Sequence, residues 1–315
     1  MAEKKMATRA AYGAALEELG GKYPNIIALD ADLSCCTMSK HFAQAYPERF
    51  FNIGIAEANM VGIAAGLATT GKTVFVHSFA MFAAGRAYDQ VRNSVCYPNL
   101  NVKVVGTHAG LTVGEDGATH QCIEDISIMR TIPNMVVVHP CDANETKCAA
   151  EAIAAHYGPC YLRLGRSEVE EVTDYDGYRF ELGKGVTMRS GRDVTLVATG
   201  LMVHEALQAA QLLAKEGIDA RVVDMHTIKP IDRELLIACA EETGAIVTAE
   251  EHNVIGGLGA AVCEAIADAC PVPVIRVGIN DCFGRSGKAS VLLDMYHLRA
   301  EDICSAAHKA IALKR

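Results

Sequence analysis

Short apolar runs rich in β-branched residues alternate along this chain with longer stretches whose apolar positions recur at helical spacing. The short runs predict strands at 25–32, 72–79, 101–108, 135–140 and 160–165, and, after a gap, at 193–200, 219–226, 245–252 and 273–280. Helices are expected at 7–20, 56–69, 84–95, 142–156, 202–216, 231–242 and 258–269. Strands apolar on both faces and separated by helices imply parallel sheets covered on both sides. The stretch RSEVEEVTDYDGYRFELGKG (166–185) is acidic, has no sustained apolar run and lacks helical periodicity, so it reads as a linker. The pattern predicts an α/β protein of two consecutive domains, 1–175 and 186–315, each a mostly parallel sheet covered by helices on both faces.

One place breaks the pattern. FFNIGIAEANMVGIAAGLA (50–68) contains a single charged side chain, Glu57, in a run that otherwise reads as core. Burying an ionised carboxylate costs several kcal/mol unless it is paired, protonated or solvated. Either Glu57 stands at an exposed helix start, or a raised proton affinity is being used.

Composition narrows the field. Half of the 315 residues are hydrophobic and 21% are charged, which suits a substantial core. The net charge of -9 repels polyphosphate, and basic residues cluster only at the chain ends (Lys4, Lys5 and Arg9; Lys314 and Arg315), so nucleic-acid binding is not expected. The twelve cysteines show neither CxxC pairs nor zinc-like spacing and read as reduced, small apolar residues. The N-terminus has no apolar signal core, and no apolar run reaches the ~20 residues of a membrane span. A soluble, cytoplasmic protein without membrane contact is expected.

In open α/β sheets, ligands gather beyond the carboxyl ends of the strands. The polar residues at those ends are Asp30, Asp32, His77 to Phe79, His108, Arg163 and Arg166 in the first half, and Thr199, Gly200, His226 and Glu250 to His252 in the second. THAGLTVGEDGATHQCIED (107–125) follows a strand and carries Glu115, Asp116, His108 and His120 around three glycines. Turn chemistry alone explains such a composition, but its length and two histidines favour a binding loop. Phe79 and Phe82 read as core packing or as an apolar wall for an aromatic heterocycle. Arg86, Asp89 and Arg92 read as a helix face with i, i+3 ion pairs, a structural feature only. NVIGGLGAAV (253–262) is a poor dinucleotide fingerprint and reads as a Gly-rich turn into a helix; CFGRSGK (282–288) reads as a turn with a basic edge.

Eight segments in order resemble the C-terminal half of transketolase, its pyrimidine-binding and C-terminal domains: MATRAAYGAAL, GIAEANMVGIAAGLA, HSFAMFAAGRAYDQVR, GTHAGLTVGEDGATHQCIED, LRLGRSE, HTIKPIDREL, EEHNVIGGLG and FGRSGKASVLL. The resemblance covers essentially the whole chain and implies thiamin diphosphate and Mg²⁺ as cofactors. The GDG…N motif that holds the diphosphate through Mg²⁺ in this family is absent, and the chain begins where the family's second half begins. It therefore resembles the smaller subunit of a two-chain transketolase, with Mg²⁺ ligands supplied by a larger partner subunit in an α2β2 assembly.

By this resemblance Glu57 is the carboxyl group that meets N1′ of the aminopyrimidine, with a raised pKa in apolar surroundings suited to the task. Phe82 stacks on that ring, Phe79 is a further wall, and Asp32 lies near the thiazolium. Asp116 reads a donor-sugar hydroxyl, and His120 the region of the sugar's C1 hydroxyl and carbonyl. Arg9, His108 and Arg166 hold the acceptor's terminal phosphate. Two positions depart from the family: Cys36 stands where a phosphate-contacting serine is usual, and Gly165 replaces a hydroxyl residue found in some members. The second domain is expected to be scaffold and dimer surface, with an unassigned ligand site at its strand ends. The implied activity is transfer of a two-carbon ketol unit between sugar phosphates. Its rivals are the β subunit of a 2-oxo acid dehydrogenase, a deoxyxylulose-phosphate synthase fragment, and a non-catalytic subunit.

Overall fold

The computed structural model describes residues 5–314; Lys4 and Arg315, named above among the basic ends, lie outside them. The first large sheet runs in space Thr227–Lys229, Val136–Val138, Cys160–Arg163, Val102–Thr107, Thr73–Phe79, Ile26–Asp30, Phe50–Asn52. All neighbours are parallel except Thr227–Lys229, which is antiparallel to Val136–Val138. Side chains alternate between faces along a strand, and Thr73–Phe79 shows it. Phe75 packs with Tyr12, Leu16 and Ile153, from the helices Thr8–Lys22 and Ala143–Ala155. Val74 and Val76 belong to the other face with Met60, Val61 and Ala64 of Glu57–Ala68. Both faces are covered, as the apolar pattern requires.

The second sheet runs Val274–Ile279, Ile246–Asn253, Val194–Ala198, Ala220–Asp224, Val186–Arg189, with only the last strand antiparallel. The expected class, two mostly parallel sheets flanked by helices, is therefore observed. The two halves are nonetheless interleaved. Thr227–Lys229, from the second half of the sequence, completes the edge of the first sheet. One core cluster also joins Val76 and Val104 of the first sheet to Val197, Val223 and Ile246 of the second.

The expected linker 166–185 is a strap. Glu168–Glu170 pairs antiparallel with Lys5–Ala7, and the backbone N–H groups of Val172 and Thr173 donate to Asp142 Oδ2, each at 2.7 Å. Tyr178 donates to Glu145, and Gly185 N–H to Asp232 at 3.1 Å. Acidic composition alone gives no sign of such anchoring, because the partners lie elsewhere in the sequence. Two helices near the end, Ala289–Met295 and Ala300–Ala312, also have no counterpart in the sequence reading. The second buries Ile303, Ala306, Ala307 and Ala310 along one face.

Candidate active site

Glu57 opens its helix and is buried, with a relative exposure of 1%. Arg86 Nη1 donates to its Oε2 at 2.8 Å, and Ser78 Oγ donates to Oε1 at 3.3 Å. A carboxylate is tolerated in this apolar run because it is paired. The exposed-helix-start alternative is overturned. The expected i, i+3 ion pairs among Arg86, Asp89 and Arg92 do not form: Asp89 instead accepts from Asn93 and Gln90, and Arg92 donates to Asn93 at 2.6 Å. The cause is the winding. Met81–Arg86 and Val91–Cys96 are π-helical turns with i→i+5 bonding, so i, i+3 positions no longer share a face. The Arg86 guanidinium also lies over the Phe82 ring, 4.6 Å from its centroid.

Phe82 and Phe79 lie nearly parallel, 6.0 Å between centroids. His120 meets Phe82 edge-on at 5.4 Å, and His108 lies 4.0 Å from Phe79. His108 has a left-handed backbone with φ of 57°, uncommon outside glycine. Burial, then the nearby charges of Arg9, Arg166 and His120, push its pKa down to about 3. It is therefore a neutral imidazole at physiological pH. Arg9 has its pKa lowered by burial and, secondarily, by Arg166, partly offset by Cys36. Arg9 Nη1 donates to the Cys36 carbonyl at 2.7 Å, and its buried Nε has no partner. Arg166 donates to the Val113 carbonyl and lies 3.6 Å from Glu115. Arg9, Arg166 and His108 thus lie toward the Phe79 end of a row of two aromatic rings, Glu57 and Arg86 toward the Phe82 end, and His120 beside both rings.

The other residues named from sequence fall around this row. Asp32 is exposed, with φ of 65°, and accepts from Asn52 Nδ2 at 2.8 Å. Asp116 is exposed at the end of the turn Leu111–Asp116. Asp30 is structural: it accepts from Leu33 N–H, the Thr37 hydroxyl and the Ser39 hydroxyl. Cys36 contributes its carbonyl rather than its thiol, and Gly165 N–H donates to Thr8 Oγ1 at 2.9 Å. A Cβ at Gly165 would meet only Thr8 Oγ1, at 3.8 Å, so the position has room for a side chain.

The loop 107–125 is held from the second sheet. Thr112 N–H donates to Glu251 Oε1 at 2.5 Å, and Gln121 Nε2 donates to the carbonyls of Leu111, Gly114 and Arg285. Gly110, with φ of 81°, leaves Glu251 its place: a Cβ there would lie 2.3 Å from that carboxyl. Glu250 receives Leu258 N–H at 2.6 Å and Gly259 N–H at 2.8 Å. The Gly-rich turn therefore presents the start of helix Leu258–Ile266 to the protein's own carboxyl group rather than to a nucleotide. Of the strand-end polar groups of the second half, Glu250 thus braces a helix start and Glu251 the loop.

The donor chemistry fits part of the implied cofactor. A buried carboxylate that meets a planar cation lying over an aromatic ring suits a protonated aminopyrimidine. Among the described residues, the metal-compatible cluster is Cys141, Glu145 and Asp224, at the start of Ala143–Ala155. Its thiol is a poor partner for Mg²⁺, which takes oxygen ligands. All twelve cysteines are free, and no helix of the described residues is long and apolar enough to cross a membrane.

Comparison with known proteins gives a consistent picture. Residues 4–171 match the profile "Transketolase, pyrimidine binding domain" and residues 183–303 the profile "Transketolase, C-terminal domain". A 6-deoxy-6-sulfo-D-fructose transketolase subunit from Clostridium sp. is 48% identical over 95% of this chain and 92% of its own length. Human transketolase is 39% identical over 98% of this chain, which spans 49% of the human protein. A solved structure described as a split-gene transketolase, inactive β4 tetramer, superposes with a TM-score of 0.92 and 55% identity, covering 98% of this chain and all of that one.

Proposed function

This chain belongs to the transketolase family of thiamin-diphosphate-dependent enzymes, and from that premise we propose that it is the smaller subunit of a two-chain transketolase. The assembly transfers a two-carbon ketol unit from a ketose phosphate to an aldose phosphate. The observation that carries this reading is Glu57, buried and paired with an arginine whose guanidinium lies over Phe82. When bound, thiamin diphosphate supplies the nucleophilic carbon and the electron sink for the transferred unit. Glu57 holds the proton at the ring nitrogen N1′, while Phe82 and Phe79 orient the ring by stacking and keep water from it. Asp32 would face the thiazolium when the cofactor is bound.

The basic end of the row binds substrate. Arg9, with its unpartnered buried Nε, and Arg166 hold the terminal oxyanion, and neutral His108 donates or accepts a hydrogen bond without adding charge. His120 and Asp116 meet the donor sugar's hydroxyls. This cluster favours an anionic sugar over a small 2-oxo acid. A coupled assay with xylulose 5-phosphate against pyruvate, run on the assembled protein, tests the choice: turnover is expected only with the sugar. The relative that acts on 6-deoxy-6-sulfo-D-fructose makes a sulfonated sugar the informative second substrate.

Arg166→Ala is expected to remove a charge-assisted contact of roughly 1.5–3 kcal/mol, raising KM for ribose 5-phosphate about 10- to 150-fold. Glycolaldehyde, which has no terminal anion, should be almost unaffected. Equal losses with both acceptors would assign Arg166 a structural role.

The partner follows from family and chemistry together. The diphosphate and Mg²⁺ need ligands that the row beside Glu57 does not offer, so a larger chain with a GDG…N segment would supply them. We expect two of each chain, with sites across the interfaces. The relative described as an inactive β4 tetramer supports an inactive, self-associated state for the small subunit alone.

A further inference from the structure

Arg86 makes two contacts: its guanidinium lies over Phe82 at 4.6 Å, and its Nη1 donates to Glu57 Oε2 at 2.8 Å. These are the two contacts proposed above for the aminopyrimidine. A guanidinium and a protonated aminopyrimidine share the relevant chemistry, both being planar cations with N–H donors at the edge and a π-face for stacking. The Arg86 side chain is 50% exposed, whereas that of Glu57 is 1% exposed, so the arginine reaches in from the solvent side. Ser78 holds the other oxygen of Glu57 from within the fold.

We infer that Arg86 occupies the aminopyrimidine's seat in the chain on its own, as a built-in placeholder that the cofactor ring must displace. The inference rests on the functional reading of Glu57 and Phe82. Its physical logic is the cost of an empty seat: without a ring, Glu57 would be a buried carboxylate lacking a cationic partner. Arg86 keeps it paired, and the apparent affinity for the ring falls by the fraction of molecules in which the seat is filled. Phe82 and Arg86, four residues apart, lie on one side of the turn Met81–Arg86 and stack there.

The test uses the full chain and the ring alone, 4-amino-5-hydroxymethyl-2-methylpyrimidine, with binding followed by ligand-observed NMR and calorimetry. Arg86→Ala and Arg86→Met should each bind the probe roughly 5- to 20-fold more tightly than wild type, the range of a half-exposed ion pair plus a cation–π contact. Arg86→Met retains an apolar stem, so it reports the loss of charge if the alanine variant folds poorly. Guanidinium chloride in the millimolar range should compete with the probe in Arg86→Ala beyond the effect of matched sodium chloride, because free guanidinium refills the seat. Arg86 variants that bind no better than wild type, or guanidinium acting only as salt, would overturn the inference. Glu57→Gln separates the two levels. If it loses the probe while the Arg86 variants gain nothing, the reading of Glu57 stands and the placeholder falls. If it binds the probe as well as wild type, or if no variant binds, both fall.

Discussion

Replacing Glu57 with glutamine is expected to lower turnover of the assembled enzyme by roughly 10²–10⁴, the usual contribution of a positioned acid–base group. Glutamine keeps the size of the side chain, and its carbonyl oxygen still accepts from Ser78 or Arg86. Folding should therefore change little, and the loss should fall on kcat rather than on the KM of either sugar. Steady-state kinetics on the assembled protein, with circular dichroism and thermal melts on the variant, separate the two effects. Turnover near wild type in a folded variant would remove Glu57 from the mechanism.

The largest expected effect on stability lies elsewhere, at Arg163. This side chain is fully buried and donates to Asp125 Oδ2 at 2.8 Å, to the Glu251 carbonyl at 3.0 Å and to the Cys122 carbonyl at 3.4 Å. Its Nη1 lies 3.2 Å from His139 Nε2, while Tyr161 also donates to Asp125. The arginine thus fastens a strand of the first sheet to a strand end of the second. Arg163→Met leaves a buried carboxylate short of its cation and is expected to cost about 3–5 kcal/mol. Adding Asp125→Asn should recover part of that loss, because the stranded charge is then removed. Urea unfolding of the single and double variants measures both terms. A cost below about 1 kcal/mol for the single variant would mean that water reaches the network.

The same residues show what a sequence can disclose. Strands such as Val194–Ala198 are legible because burial on both faces demands an apolar side chain at nearly every position. Glu57 is legible because one charge in such a run needs a reason. Arg86 is hidden by the two π-helical turns: a reader who assumes α-helical spacing pairs it with Asp89, when the real partner lies 29 residues away. Glu250 and Glu251 mislead in the opposite sense. At the end of a strand they resemble ligand groups, yet they answer backbone N–H groups of helix Leu258–Ile266 and of Thr112, and the latter lies 139 residues away. The strand Thr227–Lys229 is only three residues long, and its place in the first sheet is decided by tertiary contact alone. Local period and charge are written in the chain, whereas the identity of a distant partner is not.

The central claim is that catalysis needs both halves of the site, of which this chain supplies the ring-binding and sugar-binding half. Calorimetry with thiamin diphosphate and Mg²⁺, paired with a ketol-transfer assay on the same samples, tests it most directly. The chain should be measured alone and then mixed with a chain carrying the GDG…N segment. The account predicts a folded, self-associated and inactive protein that binds the cofactor weakly on its own, with turnover appearing only in the mixture. Tight, Mg²⁺-dependent cofactor binding together with turnover by the isolated chain would contradict it.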